Sequence, residues 1–161
     1  MERLRVYVDT SVIGGYHDEE FAIASRRVIE AARSGRIILL STEVVVQELR
    51  GAPDAVRAIV DGLPLGSVER VPMSDAVLSL RDAYLAAGIL GPESLDDAAH
   101  VAAATVARAD AICSWNFKHI VRLDKMKAYN EVNQSLGYGA LVIVTPQEVR
   151  TDEPGESKEG L

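Results

Sequence analysis

Five side chains with the chemistry of an active site stand near the ends of apolar runs or at the start of a helix. Asp9 ends the run Val-Tyr-Val in YVDTSV. Glu48 lies in EVVVQELR, shortly after the apolar run IILLS. Asp96 and Asp97 follow the loop GPES and open LDDAAHVAAATVARA, and Asn116 ends DAICSWN. Carboxylates that converge repel one another and raise one another's pKa, a strain that a divalent cation relieves. Oxygen donors without a cysteine set suit Mg2+ or Mn2+, and the chain has 1 cysteine. Such an ion polarises a phosphate and lowers the pKa of bound water, which is the chemistry of phosphodiester hydrolysis.

Each of these residues also has an ordinary structural reading. Asp-Thr-Ser invites local side-chain to backbone bonds, so Asp9 fits a turn or N-cap. Ser94-Leu95-Asp96-Asp97 fits a capping box, and acids in a first turn favour the helix dipole. Glu48 lies near the apolar stripe of Val44, Val45 and Leu49 and reads alone as a surface charge. His100 shares a helix face with Asp97 and fits a satisfied, half-buried histidine as well as a ligand. Cys113 fits a buried strand position, and Trp115 fits either packing or the stacking of an RNA base. Lys118 and His119 flank Asn116, and Arg122, Lys125 and Lys127 follow against Asp124 alone. These cations suit a phosphate backbone or a solvated helix face.

The elements that must position these residues alternate. RLRVYVD, RIILLS, SVERVP, DAICSW and ALVIVT read as strands. Helical spacing covers residues 18–33, with Gly35 as C-cap, and Thr42 is placed to cap a helix that Gly51 and Pro53 stop. DAVRAIVDGL is a further helix; Ser74 caps one that runs to Gly88; the Ala-rich segment over 95–109 is another; residues 122–136 form the last, ended by Gly137. TPQEV is one closing turn. Continuous apolar strands are expected where helices cover both sheet faces. The pattern implies an α/β protein, a three-layer α/β/α sandwich on a mainly parallel sheet of about five strands. Ligands of such sheets collect beyond the carboxyl ends of the strands.

The chain has 161 residues and a formal net charge of −7. That length suits one domain over residues 1–150. That charge excludes a broad basic coat for nucleic acid. Part of it lies in TDEPGESKEGL, and residues 151–161 read as a disordered acidic tail. The single cysteine excludes a disulfide framework and suits a reducing compartment. MERLRVYVDTSV lacks a signal-peptide core, and no apolar run approaches the roughly 18 residues of a membrane span. A soluble cytoplasmic protein, with no membrane partner, is the expectation.

The segments VDTSV, EVVVQELR, LDDAAHVAAATVARADAICSWN and VIVTPQEV, in this order and spacing, resemble the PIN-domain ribonucleases, and among them the VapC-like toxins of toxin–antitoxin pairs. The resemblance covers residues 5–149. It implies a sheet ordered 3-2-1-4-5, a pocket for one or two Mg2+ or Mn2+ ions, and endoribonuclease activity. Carried over, Asp9, Glu48 and Asp97 are the metal-binding acids, Asp96 a neighbour that assists, and Thr10 and Ser11 hydroxyls near the metal or its water. The family's fourth acid falls where this chain has Asn116, whose amide oxygen still suits a hard cation but brings no charge. The motif Trp-Asn-Phe-Lys-His, with Gly137-Tyr138 before the last strand, resembles one branch of PIN-like proteins. Lys118, His119 and Arg122 are the RNA-binding candidates. A cognate antitoxin and a homodimer, through exposed faces of the helices flanking the second strand, are the implied partners. The rival within the family is a degenerate PIN-like domain that binds RNA or protein without cutting. A dehalogenase-type phosphatase is disfavoured because Ser11 stands where its second Asp belongs, and a receiver domain because no lysine follows a late apolar strand.

Overall fold

The computed structural model describes residues 3–151. Five parallel strands form one sheet in the order β3-β2-β1-β4-β5. They are β1 (Leu4–Val8), β2 (Ile37–Ser41), β3 (Val68–Arg70), β4 (Ala111–Cys113) and β5 (Ile143–Val144). The helices between them are α1 (Thr10–Gly14), α2 (Ala22–Arg33), α3 (Glu43–Leu49), α4 (Asp54–Asp61), α5 (Asp75–Ala86), α6 (Leu95–Val106) and α7 (Leu123–Ser135). This is the expected three-layer α/β/α sandwich, with the PIN-like strand order. The acidic tail reading concerns residues 151–161; Thr151 is described and buried, and the rest of that segment lies outside the described residues.

The continuous apolar strands follow from two covered faces. Successive side chains alternate across a strand. Tyr7, Leu40 and Ile112 therefore enter one core, with Val77, Leu80 and Tyr84 of α5, Val101 of α6 and Tyr129 of α7. Val6, Val8, Ile37, Leu39 and Cys113 enter the other, with Val12, Val28, Ile29, Val45 and Ile59. Burying each such aliphatic chain contributes roughly 1.5–3 kcal/mol.

Helix α6 is enclosed. Every residue from Ala98 to Thr105 is buried. A helix apolar all round is an interior helix, and its alanines let α5 and the sheet approach closely. Any polar side chain on it must find a partner inside the protein, which makes the position of His100 consequential.

Several local expectations are altered by tertiary partners. Ser74 caps α5 by accepting from Val77 N at 3.3 Å, as expected. Thr42 occupies the N-cap position of α3 but makes no cap bond, because its hydroxyl pairs with Tyr7 Oη at 2.9 Å. Ser94 makes no cap bond either. A short 3-10 turn, Pro92–Ser94, runs straight into α6 instead. The chain does not break at Gly14 and Gly15: α1 begins directly after Asp9. Gly15 is required for close approach, since a Cβ there would lie 2.6 Å from Ser25 Oγ and 3.0 Å from Trp115 Nε1.

Candidate functional site

The site is assembled at the carboxyl ends of β1 and β4. Asp9 follows β1 and is 4% exposed. It stands at the N-cap of α1 without capping it. Its two oxygens turn instead to hydroxyls: Ser11 Oγ donates to Oδ1 at 2.5 Å and Ser114 Oγ to Oδ2 at 2.6 Å. Those hydroxyls in turn accept from backbone, Ser11 from Trp115 N and Ser114 from Asn116 N, each at 2.9 Å. One carboxylate, two serines and two amides thus tie the end of β4 to the end of β1.

Ser114 is absent from the sequence-based candidates. The signal for it is sheet register. Val8 pairs with Cys113, so the next residues along each strand, Asp9 and Ser114, stand side by side.

Asn116 organises the turn that follows. Its Oδ1 accepts from the backbone N–H groups of Lys118 at 3.2 Å and His119 at 2.9 Å. Its backbone carbonyl accepts from Ile120 N and Val121 N. The Asn116 side chain also lies near Asp97 and acts to lower that carboxyl's pKa.

Asp97 lies half-buried in the first turn of α6. Burial raises its pKa above the ordinary carboxylate value, and the charge of Asp9 adds to the rise; His100, His119 and the Asn116 amide oppose it. Asp96, beside it, is exposed and makes no hydrogen bond or ion pair among the described residues.

Glu48 is brought in from α3 as the resemblance implies, but into a different company. Its Oε1 accepts from Thr10 Oγ1 at 2.6 Å and pairs with His100 Nε2 at 3.0 Å. The other ring nitrogen, Nδ1, meets Tyr7 Oη at 2.7 Å. A chain of hydrogen bonds therefore runs Thr42–Tyr7–His100–Glu48–Thr10. Burial depresses the His100 pKa, but the Glu48 hydrogen bond and the charges of Asp9, Glu48 and Asp97 more than reverse this and leave it raised. Burial acts to raise the Glu48 pKa, and the bonds from His100 and Thr10 outweigh it, so that carboxyl is held low. Burial pushes the Tyr7 phenol far up, so it remains a hydrogen-bond donor. His100 is a satisfied core histidine and at the same time the partner of a candidate ligand.

The remaining candidates form the rim. Lys118 is exposed, and its ammonium has no partner among the described residues. His119 is half-buried, and its Nδ1 is the one buried side-chain nitrogen or oxygen without a partner among the described residues. Arg122 is paired with Asp124 through two bonds of 2.6 and 2.7 Å, and that guanidinium holds the Asp124 carboxyl down at about 2. Lys125 donates to Ile89 O. Two charges of the supposed basic helix face are thereby engaged within the protein. Trp115 is 7% exposed. It stacks on Phe21 with centroids 4.3 Å apart and donates to Ser25 Oγ at 2.8 Å, so it packs and presents no face to a base. Cys113 is fully buried.

Asp9 and Asp97 fit a hard cation of the Mg2+ type, which commonly keeps several waters and takes one or two carboxylates from protein. A larger ligand set is not formed, since no three His, Cys, Asp or Glu side chains gather as one among the described residues.

The fold is a PIN-like α/β/α sandwich with acids at the carboxyl edge of its sheet. No protein-family model and no curated protein matches the sequence. Among solved structures the chain is similar to VapBC2 from Rickettsia felis, bound to a DNA fragment from the promoter, with a TM-score of 0.53 and 12% identity over 87% of this chain and 97% of that one. It is also similar to a tyrosyl-tRNA synthetase from Aeropyrum pernix, with a TM-score of 0.48 and 13% identity over 88% of this chain and 52% of that one. At such identities the first likeness speaks for the fold. No helix among the described residues is long and apolar enough to cross a membrane.

Proposed function

We propose that this chain is a metal-dependent endoribonuclease of the PIN type and the toxin of a toxin–antitoxin pair. The observation that carries the reading is the placement of Asp9, Asp97 and Asn116 together at the carboxyl edge of a PIN-like sheet, where such folds bind ligands. Asp9 and Asp97 would hold Mg2+ or Mn2+. When bound, the ion supplies positive charge to a phosphodiester and lowers the pKa of water. The protein's own groups prepare the place. Ser11 and Ser114 fix both oxygens of Asp9, Asn116 stands near Asp97, and His100 with Thr10 holds Glu48. Lys118, with His119 beside it, offers a contact for the phosphate backbone. The likeness to VapBC2 supports an antitoxin as partner, and a homodimer belongs to the same proposal.

The test is cleavage of mixed single-stranded RNA in Mn2+ or Mg2+ by the parent and by Asp9→Asn. Cleavage by the parent alone supports the reading; equal cleavage by both removes Asp9 from the chemistry. A second reading, an RNA- or protein-binding domain without catalysis, is favoured by two observations. The Asn116 amide oxygen is already taken by two backbone amides, and Glu48 is paired with His100. Metal binding in calorimetry with no cleavage by the parent would select it.

A further inference from the structure

Phe117 has no role in the site described so far, yet it stands at its rim. It directly follows Asn116 and is 50% exposed. Among the described residues it is the one aromatic in the set of exposed large hydrophobic side chains, the others being Leu, Ile or Val. An exposed leucine is ordinary. An exposed ring held in place beside unpaired charge calls for a ligand with a face of its own. The backbone under Phe117 is pinned on both sides, by the Asn116 Oδ1 bonds to Lys118 N and His119 N and by Asn116 N to Ser114 Oγ. The ring is braced by Trp115, 6.2 Å away at 53°, which is itself immobilised between Phe21 and Ser25. Its outer side is open. The next residue, Lys118, offers a free cation in a protein of net charge −7.

We infer that Phe117 is the stacking platform for an unpaired nucleobase at the rim of the site, with Lys118 meeting the adjoining phosphate. The inference rests on the ribonuclease reading and adds the residue that selects single-stranded substrate. A base presents a π-face to an aromatic ring and its phosphate to the lysine one residue away. A peptide would need an apolar side chain for the ring and a separate carboxylate for the cation, whereas every nucleotide carries a base and a phosphate together. Pinning the turn before the ligand arrives lowers the entropy lost on binding.

The experiment measures binding by fluorescence anisotropy of a short labelled single-stranded RNA of mixed sequence, in Ca2+ buffer to suppress cleavage. Parent, Phe117→Leu and Phe117→Tyr are compared, with duplex RNA as control. Thermal unfolding should be the same for all three, because the side chain is half exposed. Leu should weaken single-stranded binding roughly tenfold, Tyr should restore it, and duplex binding should not distinguish them. If the parent binds single-stranded RNA and Phe117→Leu binds it equally well, the stacking inference is overturned and the ribonuclease reading stands. If the parent binds no single-stranded RNA, both fall.

Discussion

The two carboxylates of the site should respond in opposite senses to the same substitution. Burial and the charge of Asp9 raise the pKa of Asp97. A carboxyl whose pKa is higher folded than unfolded binds its proton more tightly in the native state. Ionised, it therefore costs stability, and the cost grows as pH rises from the ordinary value of 3.8 through the raised folded one and stays constant above it. Asp97→Asn removes the charge and keeps the shape. In EDTA at neutral pH it should stabilise the chain by roughly 0.5–1 kcal/mol, a value discounted for the solvent that reaches a half-exposed group. For a chain of this size that is an increase in Tm of roughly 1–4 °C. The gain should vanish well below the ordinary value of 3.8, where the parent's carboxyl is protonated in both states.

Asp9 differs in its partners. Both of its oxygens accept from hydroxyls that are themselves committed to backbone amides. An amide at that position presents a donor to one of these hydroxyls and breaks the network joining β1 to β4. Asp9→Asn should cost about 1–3 kcal/mol. Differential scanning fluorimetry and urea titration in EDTA, at neutral and acidic pH, measure both. A lower Tm for Asp97→Asn at neutral pH, or a higher one for Asp9→Asn, would refute the account.

Three further outcomes follow from the same geometry. His100 titrates above its ordinary value of 6.5 and Glu48 below 4.5, so their pair contributes most at pH between the two folded values. Its His share is lost as pH rises through the folded His100 pKa and its Glu share as pH falls through the folded Glu48 pKa; an NMR titration placing the His100 ring at or below its ordinary value would contradict the pairing. Gly15→Ala should cost roughly 1–3 kcal/mol by overpacking and alter Trp115 emission, because the new Cβ displaces Ser25 Oγ and the indole N–H; unchanged emission and stability would mean the turn yields freely. Asn116→Asp keeps the oxygen that accepts from Lys118 N and His119 N but adds a negative charge near Asp97. It should lower the Tm in EDTA and tighten Mn2+ binding by calorimetry, and unchanged affinity would place residue 116 outside the metal's reach.

Much of this site was legible in the chain. Asp9 and Asn116 mark places where apolar runs stop and Asp97 the start of a helix, and in a parallel α/β sheet the carboxyl ends of strands and the starts of the returning helices share one edge. The capping motifs were misleading for a physical reason. Ser94 and Thr42 have the right type and spacing, but a hydroxyl makes its bond where the best partner stands, and for Thr42 that partner is Tyr7, 35 residues away. Ser114 and Tyr7 carried no local signal at all, since each acquires its role from strand register and from helix α6 packing over the sheet.

Periodicity and residue type, both one-dimensional properties, were thus sufficient for the alternation of strands and helices, the covered sheet and the acids at its edge. What only the tertiary structure decided is which atom each acid faces. It turned Glu48 to His100, Asp9 to two serines and the Asn116 oxygen to two backbone amides, and it buried Trp115 while leaving Phe117 at the surface. Hydrogen-bond direction and burial depend on neighbours that are distant in the chain, and no spacing within one segment encodes them.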